Sequence, residues 1–260
     1  MHTPVDLVKA YERVDDLQRN GLQIIQNPEW FSFGIDAVLL SAFAQAKAGS
    51  KVVDLCTGNG IIPLLMHAKC AAKSIVGIEI QAEVAEMASR SVQLNQLTEH
   101  ISIINADVLK LDEIIDKTSV DVITCNPPYF KAAGGIHNDH AVKTLSRHEV
   151  ALSLEGLFQS VFRLLKPQGH FYMVHRADRL VDILYWARTF KIEPKTIRFV
   201  HPKAKAKPNL VLLKCVKYGG HELRFETPLV VYNEAGSFTQ EIFDIYACAQ
   251  LTAFEAHDKR

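Results

Sequence analysis

The sequence predicts an α/β fold built on a mostly parallel sheet. Short β-branched runs alternate with longer stretches of helical periodicity, and this alternation is typical of βαβ units. The predicted strands cover residues 51–55, 74–80, 101–104, 120–125 and 169–175. The predicted helices cover residues 61–70, 82–95, 109–115 (a short one), 154–165 and 179–190. We therefore expect five parallel strands connected by helices.

The pattern changes after residue 190. Residues 195–201 and 210–217 predict two strands joined by a polar loop, and a connection this short requires antiparallel strands. The expected sheet thus has seven strands and is closed by an antiparallel C-terminal hairpin. We predict a single domain over residues 1–260. It comprises an N-terminal lead-in and helix at 1–48, a core at 49–217, and a strand and helix appendage at 218–260.

The composition favours a globular protein of the cytoplasm. Hydrophobic residues make up 48% of the 260 residues and charged residues 22%. No apolar run is long enough to span a bilayer, and residues 1–16 contain no signal-peptide core. The five cysteines form no C-x-x-C pair, as expected of reduced thiols. The zero net charge argues against a protein that coats nucleic acid, although an enzyme needs only one basic face.

A loop of small residues follows the first predicted core strand. Gly58 and Gly60 allow the backbone to approach a ligand closely, and the helix that follows offers unpaired N–H groups. Glu79 ends the next strand, where an acid can accept both hydroxyls of a ribose, and Asp107 follows the third, where an acid can hold an adenine amino group. The G-x-G-x-x-G spacing of nicotinamide enzymes is absent, and Asp54 suits an ammonium better than a pyrophosphate. The pattern favours an adenosine-bearing cofactor over a simple tight turn.

The fourth predicted strand runs into Asn126, Pro127, Pro128 and Tyr129. The prolines stiffen this turn, so that the Asn carboxamide and a proline carbonyl become rigid acceptors for a planar NH2 group. The Tyr129 ring offers a stacking surface to a planar substrate. Positioning of this kind needs no strong base, and we expect no catalytic His or Cys. The alternative is a rigid corner without chemistry.

These motifs, in this order and spacing, resemble the class I S-adenosylmethionine-dependent amino-methyltransferases, which have a Rossmann-like fold. Residues 17–26, 31–40, 146–149 and the closing hairpin resemble, more narrowly, the bacterial tRNA(Val) (adenine-37-N6)-methyltransferase family. The resemblance implies S-adenosyl-L-methionine as cofactor, no metal, and an adenine N6 in tRNA as target. The implied cofactor-binding residues are Asp54, Cys56, Thr57, Gly58, Gly60, Glu79, Ile80, Asp107, Val108 and Asn126. One departure is Cys56, where the class pattern has glycine.

Other segments have both structural and functional interpretations. Asp36 is predicted to cap a helix over residues 37–46, or else to line the cofactor pocket with Phe33. Residues 131–140 either close over a flipped base or form a plain loop, and their two histidines lack a third metal ligand. The candidate RNA contacts are Arg147 and the hairpin-tip lysines Lys203, Lys205 and Lys207, with a solvated surface as the alternative.

Several other functions remain open on the sequence alone. The same turn serves ribosomal-RNA guanine N2 enzymes and release-factor glutamine N5 enzymes, although the latter carry a larger helical N-terminal domain. A DNA adenine enzyme usually needs a target-recognition domain, for which the chain has no room. A non-catalytic adenosine-binding protein is the alternative outside enzymology. No feature of the sequence indicates a membrane or an obligate protein partner.

Overall fold

The computed structural model describes residues 7–28, 34–129 and 152–246. Within these ranges the chain forms eleven strands, six α-helices and two 3-10 helices. The strands are β1 (Arg13–Asp16), β2 (Gln23–Gln26), β3 (Lys51–Leu55), β4 (Ser74–Glu79), β5 (Ile101–Asn105), β6 (Val120–Cys125), β7 (Leu165–Arg176), β8 (Ile192–Lys203), β9 (Leu210–Lys217), β10 (Arg224–Phe225) and β11 (Leu229–Tyr232). The α-helices are α1 (Ile35–Phe43), α2 (Ile61–Lys69), α3 (Ala82–Leu94), α4 (Leu154–Leu164), α5 (Leu180–Thr189) and α6 (Gln240–Tyr246), and the 3-10 helices are Val108–Glu113 and Ala177–Arg179.

The main sheet has the strand order β10-β8-β9-β7-β6-β3-β4-β5, with β11 also paired to β8. Strands β3 to β7 are parallel, and β9 is antiparallel to both β7 and β8. The predicted parallel core and closing hairpin are therefore confirmed. The sheet has nine strands where seven were expected, because β10 and β11 add two short parallel partners to β8. Strand β11 lies in the 218–260 appendage, where one strand was expected outside the seven-stranded sheet, whereas the two residues of β10 carry too little periodicity to be recognised in a sequence.

Both faces of the sheet are covered by helices, which explains why its central strands are apolar along their whole length. Because successive side chains of a strand point to opposite faces, Val52 joins one core and Val53 the other. The first core contains residues of α1, α2 and α6, and the second contains Phe158 of α4 and Ile183 of α5. No helix in the described ranges is long and apolar enough to cross a bilayer.

The N-terminal lead-in contains a hairpin that the sequence analysis did not predict. Strands β1 and β2 pair antiparallel, and the Ile25 N–H donates to Ser91 Oγ of α3 at 3.0 Å. Arg90 of α3 is buried and forms a two-pronged ion pair with Glu12, each N–O distance being 2.6 Å. Strand β1 is polar and largely exposed, so no apolar alternation marks it in the sequence. The hairpin is therefore attached to α3 by hydrogen bonds from β2 and a few apolar contacts, and the residue before β1 adds the ion pair with Arg90.

Candidate active site

The parallel register brings the predicted site residues to one edge of the sheet. Leu55 of β3 pairs with Ile78 of β4 on one side and with Cys125 of β6 on the other. Glu79 pairs with Asn105 at the end of β5. The loops that follow these four strands therefore lie next to one another at the carboxyl edge, where open α/β sheets bind their ligands.

The loop after β3 is a tight turn with left-handed backbone at three positions. Cys56, Gly58 and Gly60 have φ values of +58°, +56° and +85°. Cys56 stands where the class pattern has glycine. Its left-handed backbone conformation costs a residue other than glycine about 1–2 kcal/mol. Gly60 is also the N-cap residue of α2. The Thr57 N–H donates to Ile78 O at 2.9 Å, which joins the loop to β4.

Gly77 of β4 allows this loop to approach the sheet, a role that the sequence analysis missed. A Cβ atom at this position would lie 2.8 Å from Thr57 Oγ1 and 2.7 Å from Ile103 Cδ1. Both distances are shorter than real Cβ contacts, so any larger residue would have to displace the Thr57 and Ile103 side chains. A glycine inside a predicted strand is the sequence signal for such a close approach.

The Glu79 carboxylate connects the loop to the tip of β4. Its Oε2 accepts from the Gly58 N–H at 3.0 Å and its Oε1 from the Gln81 N–H at 3.0 Å, and the residue is buried. Ile80 follows and is partly exposed. Asp107 lies beyond β5, where its Oδ1 accepts from the Leu109 N–H at 2.9 Å and caps the 3-10 helix Val108–Glu113.

Three buried polar atoms in and beside the loop, Asp54 Oδ2, Thr57 Oγ1 and Asn59 Oδ1, form no hydrogen bond of good geometry, although the Thr57 side chain interacts with the Asp54 carboxyl group. An unpaired buried acceptor costs roughly 1–3 kcal/mol, so a cluster of them indicates the place of a ligand. Asn59 Nδ2 donates to Gln26 Oε1 of β2 at 3.3 Å, and this contact brings the N-terminal hairpin to the same loop. Neither Asn59 nor Gln26 was predicted as a site residue. These three buried oxygens fit a ligand that carries an ammonium and hydroxyl groups.

The Asp54 carboxyl group is fully buried at the base of the loop. Its Oδ1 accepts from Thr124 Oγ1 of β6 at 2.6 Å. Burial, assisted by the nearby Glu79 carboxylate, raises the pKa of Asp54 to about 7, although the Thr124 hydrogen bond acts in the opposite direction. A cation bound beside Asp54 would favour the carboxylate and lower this pKa. The electrostatics therefore favour a positively charged group at this end of the site.

In the turn after β6, the Tyr129 side chain folds back and contacts the Asn126 side chain. The Tyr129 hydroxyl donates to Asn126 Oδ1 at 2.6 Å, so the carboxamide oxygen that we expected to face a substrate is engaged by the protein. Pro127 is buried and Pro128 is exposed. The half-buried Tyr129 ring packs against His175, with 5.2 Å between ring centroids and 57° between planes.

Asp36 does not cap α1, and that prediction is wrong. The helix begins at Ile35 with Gly34 as its N-cap residue, so Asp36 lies within the first turn, where its Oδ1 accepts from the Ala37 N–H at 3.1 Å. Burial first, and the nearby Asp36 carboxylate second, raise the pKa of Tyr129 well above its ordinary value. The observed helix begins two residues before the predicted start at residue 37, because Ile35 and Asp36 already form part of its first turn.

His175, near the end of β7, was also missed. It is buried, and its Nδ1 accepts from the Arg176 N–H at 2.8 Å. Burial and the positive charge of Arg179 lower the pKa of His175 to about 4, so the imidazole is neutral at physiological pH. The sequence feature that could have identified His175 as a site residue is its position as a histidine at the end of an apolar predicted strand. The neutral ring supports Tyr129 without adding charge to the site.

Lys203, Lys205 and Lys207 are exposed at the tip of the β8–β9 hairpin. Because β8 runs parallel to the core strands, its carboxyl end lies at the same sheet edge as the turn after β6. Arg147, Phe33 and the loop 131–140 lie outside the described residues. Among the residues that are described, no group of three or more His, Cys, Asp or Glu is arranged to hold a metal ion.

Comparison with known proteins assigns the chain to a family. Residues 22–181 match the methyltransferase small domain family. The chain is 32% identical over 185 residues to the tRNA1(Val) (adenine(37)-N6)-methyltransferase of Porphyromonas gingivalis, covering 69% of this chain and 72% of that protein. It is 30% identical over 208 residues to the enzyme of the same name from Phocaeicola vulgatus, covering 77% and 85%.

Solved structures share the fold at low sequence identity. A predicted O-methyltransferase from Agrobacterium tumefaciens superposes with a TM-score of 0.66 at 19% identity, over 82% of this chain and 95% of that one. The geranyl diphosphate C-methyltransferase of Streptomyces coelicolor, solved with S-adenosyl-L-homocysteine, superposes with a TM-score of 0.52 at 14% identity, over 70% and 75%. The chain therefore belongs to the methyltransferase small domain family, and within it to the bacterial tRNA1(Val) (adenine(37)-N6)-methyltransferases, as an S-adenosylmethionine-dependent enzyme.

Proposed function

We propose that this protein transfers the methyl group of S-adenosyl-L-methionine to N6 of adenine 37 in a valine tRNA. The observation that carries the proposal is the stiff Asn126–Tyr129 turn, which follows the strand next to β3 and so lies beside a loop whose buried Asp54, Thr57 and Asn59 oxygens lack well-formed hydrogen bonds. The names of the relatives support the same substrate. The proposal therefore joins an amine-binding turn to a cofactor loop at one sheet edge.

The residues around the loop fit the cofactor part by part. The methionine ammonium would lie near Asp54 and Asn59, whose unpaired oxygens need a donor. The ribose hydroxyls would bind Glu79 at the tip of β4, and the adenine amino group would bind Asp107 beyond β5. Cys56, Thr57, Gly58 and Gly60 would form the backbone wall, with Ile80 and Val108 beside the adenine. When bound, the cofactor supplies a methyl group activated by a sulfonium sulfur.

The turn would hold the target nitrogen. Asn126 Oδ1 and a proline carbonyl of the turn each accept one N–H of the planar amine, which directs the nitrogen lone pair out of the ring plane. Tyr129 stacks on the adenine, a contact worth roughly 1–3 kcal/mol per base. The amine attacks as a neutral group, and the methylated nitrogen then loses its extra proton to solvent, so the chain needs no strong general base. The rate enhancement then comes from orientation and fixed dipoles.

The hairpin tip would contact the tRNA backbone. Strands β9 and β7 lie between β8 and β6, so β8 is three strand spacings from β6. At about 4.8 Å per spacing, the hairpin tip lies roughly 14 Å from the Asn126–Tyr129 turn. Phosphates two or three nucleotides from the target lie within that span. Lys203, Lys205 and Lys207 carry three exposed positive charges there, and Arg147 belongs to the same proposal although it lies outside the described residues.

The activity can be tested by incubating the enzyme with radiolabelled cofactor and unmodified total tRNA, then digesting the RNA to locate the labelled nucleoside. We expect label in N6-methyladenosine of one valine isoacceptor. Label in guanine N2 of ribosomal RNA, or in glutamine of a release factor, would replace the proposed substrate. Tight cofactor binding without transfer to any of these would indicate an adenosine-binding protein instead.

Asn126→Ala tests the role of the turn. Loss of the carboxamide should lower kcat/KM by about 100-fold or more, the scale seen when a fixed transition-state contact is removed. Cofactor affinity, measured by calorimetry, should change much less, because the proposed partner of Asn126 is the target amine. A variant that keeps full activity would contradict the proposed mechanism.

A further inference from the structure

The N-terminal hairpin reaches the cofactor loop through a chain of three side chains. Asp15 Oδ2 of β1 accepts a hydrogen bond from Gln26 Nε2 of β2, and Gln26 Oε1 accepts one from Asn59 Nδ2 of the loop at 3.3 Å. Gln26 and Asn59 are buried, whereas Asp15 is partly exposed. The strand register explains this path, because Gln26 pairs with Arg13 and Asp15 lies two residues further along the same face of β1.

The hydrogen bonds of this chain have a fixed direction. A carboxylate can only accept, so the end of the Gln26 carboxamide beside Asp15 is its nitrogen. The Gln26 oxygen then faces Asn59 and is satisfied only by the Asn59 nitrogen. The remaining end of the Asn59 side chain is its oxygen, the buried Oδ1 that forms no hydrogen bond of good geometry. One charge on the hairpin thus decides which end of Asn59 is left for a ligand.

We infer that Asp15, acting through Gln26, is a positioning residue that holds Asn59 Oδ1 as an acceptor for the ammonium of the cofactor. This inference rests on the proposed function, which places that ammonium near Asp54 and Asn59. A rotated carboxamide would present its NH2 group there instead, and a donor beside a positively charged donor is unfavourable. A buried acceptor without a partner costs stability in the free protein, and a bound ammonium would satisfy it.

Other contacts already hold the hairpin in place. Hydrogen bonds join Gln23 and Ile25 of β2 to α3. Glu12, the residue before β1, pairs with the buried Arg90. Asp15 takes part in none of these contacts, so its substitution leaves the attachment of the hairpin to α3 intact.

The first measurement compares two ligands by calorimetry, S-adenosyl-L-homocysteine and its analogue in which hydrogen replaces the amino group. Asp15→Asn keeps the shape of the side chain but can donate as well as accept, so Gln26 and Asn59 are free to rotate. We expect it to weaken binding of S-adenosyl-L-homocysteine about three- to ten-fold, the range of one hydrogen bond. Binding of the analogue should change by less than about two-fold, because that ligand has no ammonium.

The decisive experiment is a double-mutant cycle of Asp15→Asn with Asn59→Asp. In Asn59→Asp alone, Gln26 lies between two carboxylates, and its oxygen must face one of them. With Asp15→Asn added, Gln26 can turn its nitrogen to residue 59 and accept from residue 15. Asp15→Asn should therefore weaken binding of S-adenosyl-L-homocysteine in the parent and strengthen it in the Asn59→Asp background. This change of sign is a coupling that a merely structural role of the hairpin would not produce.

Arg13→Gln is the matched control. Arg13 pairs with the Asp15 carboxylate at 3.0 Å, and both side chains are partly exposed, so the ion pair contributes little. The variant leaves the bond between Asp15 and Gln26 in place, and both ligands should bind within about two-fold of the parent. Melting temperature is measured for every variant.

Should Asp15→Asn fail to fold, the pair of Asp15→Asn with Gln26→Glu takes its place. Residue 26 then accepts from both neighbours, and Asn59 keeps its orientation. This pair should bind S-adenosyl-L-homocysteine within about two-fold of the parent, and a larger loss would overturn the inference.

Three results of the main experiment would also overturn it. They are an equal loss of both ligands in Asp15→Asn, no loss of either, and an effect of the same sign in both backgrounds. An unsubstituted protein that binds the two ligands equally would refute the cofactor placement, and the inference with it. Failure of the proposed function is seen separately, as an unsubstituted enzyme that transfers no methyl group to valine tRNA.

Discussion

At the scale of single residues, Asp54 shows how a binding site can lower the stability of the free protein. Its carboxyl group is buried, with one oxygen bonded to Thr124 and the other without a hydrogen bond of good geometry. Burial and the Glu79 carboxylate hold the pKa of Asp54 at about 7, whereas the unfolded chain has an ordinary value of about 3.9. Between these two values the folded state binds more protons than the unfolded state. The free energy of unfolding therefore falls as the pH rises from about 4 to 7.

Asp54→Asn should remove this pH dependence. At pH 8 the cofactor-free variant should be more stable than the parent by about 2 kcal/mol or more, and the difference should shrink at pH 5, since each pH unit is worth about 1.4 kcal/mol. Urea unfolding at the two pH values measures it. The variant should also bind S-adenosylmethionine more weakly, because the charge facing the ammonium is lost. An unfolding difference independent of pH would show that Asp54 is not the titrating group.

Cys56 and His175 show two limits of residue-level prediction. The sequence marks Cys56 as a departure from the class pattern, but only the φ of +58° shows that a glycine-like conformation is retained there. His175 lies 46 residues beyond Tyr129 in the sequence, yet their rings are 5.2 Å apart. That contact depends on the pairing of β6 with β7, which no local pattern encodes.

At the scale of elements, apolar periodicity located the core strands and helices well. Strands β3, β6 and β9 begin and end where predicted, and the other predicted core elements differ mostly by one to three residues at each end. The longer strands β7 and β8 extend further at their amino ends, where Pro167 and Pro194 interrupt the strand pattern. The hairpin β1–β2 was missed because each of its strands has only four residues and β1 is polar and largely exposed. It is stabilised by contacts with α3 that come from 60 or more residues away.

Gly77→Ala tests the fit between β4 and the cofactor loop. The added methyl group would press on Thr57 and Ile103, so we expect a loss of about 1–3 kcal/mol in stability, typical of overpacking, and weaker cofactor binding. Gly220→Ala is the matched control, because a Cβ there meets nothing within 4 Å. Urea unfolding and cofactor titration measure both effects. Equal stabilities of the two variants would argue against the close approach.

At the scale of the whole molecule, the strand order decides what lies near the active site. The β8–β9 hairpin inserts β9 antiparallel beside β7, and this returns the carboxyl end of β8 to the edge that carries the site. The exposed lysines at its tip therefore face the same side as Asn126. This arrangement makes an RNA contact geometrically reasonable for a chain whose net charge is zero.

Replacing Lys203, Lys205 and Lys207 by alanine should weaken tRNA binding and reduce the slope of log K against log salt by about 2–3, because each phosphate contact contributes roughly 0.7–0.9. Cofactor affinity should not change. The control variant replaces Lys51, Lys73 and Lys117, which are exposed at the opposite, amino edge of the sheet. Filter binding at several salt concentrations measures the slope, and equal slopes for the two triple variants would reject the contact.

The sequence by itself determined the order of elements, the parallel core, the closing hairpin and the motifs that carry the family resemblance. These features are local, since each depends on residue types at fixed spacing along the chain. Only the tertiary structure decided that Tyr129 donates to Asn126 and packs against His175, that Gly77 of β4 lets the cofactor loop approach, and that Asn59 of this loop donates to Gln26. These contacts join residues from different strands and helices, and their distances follow from how the sheet and its helices pack.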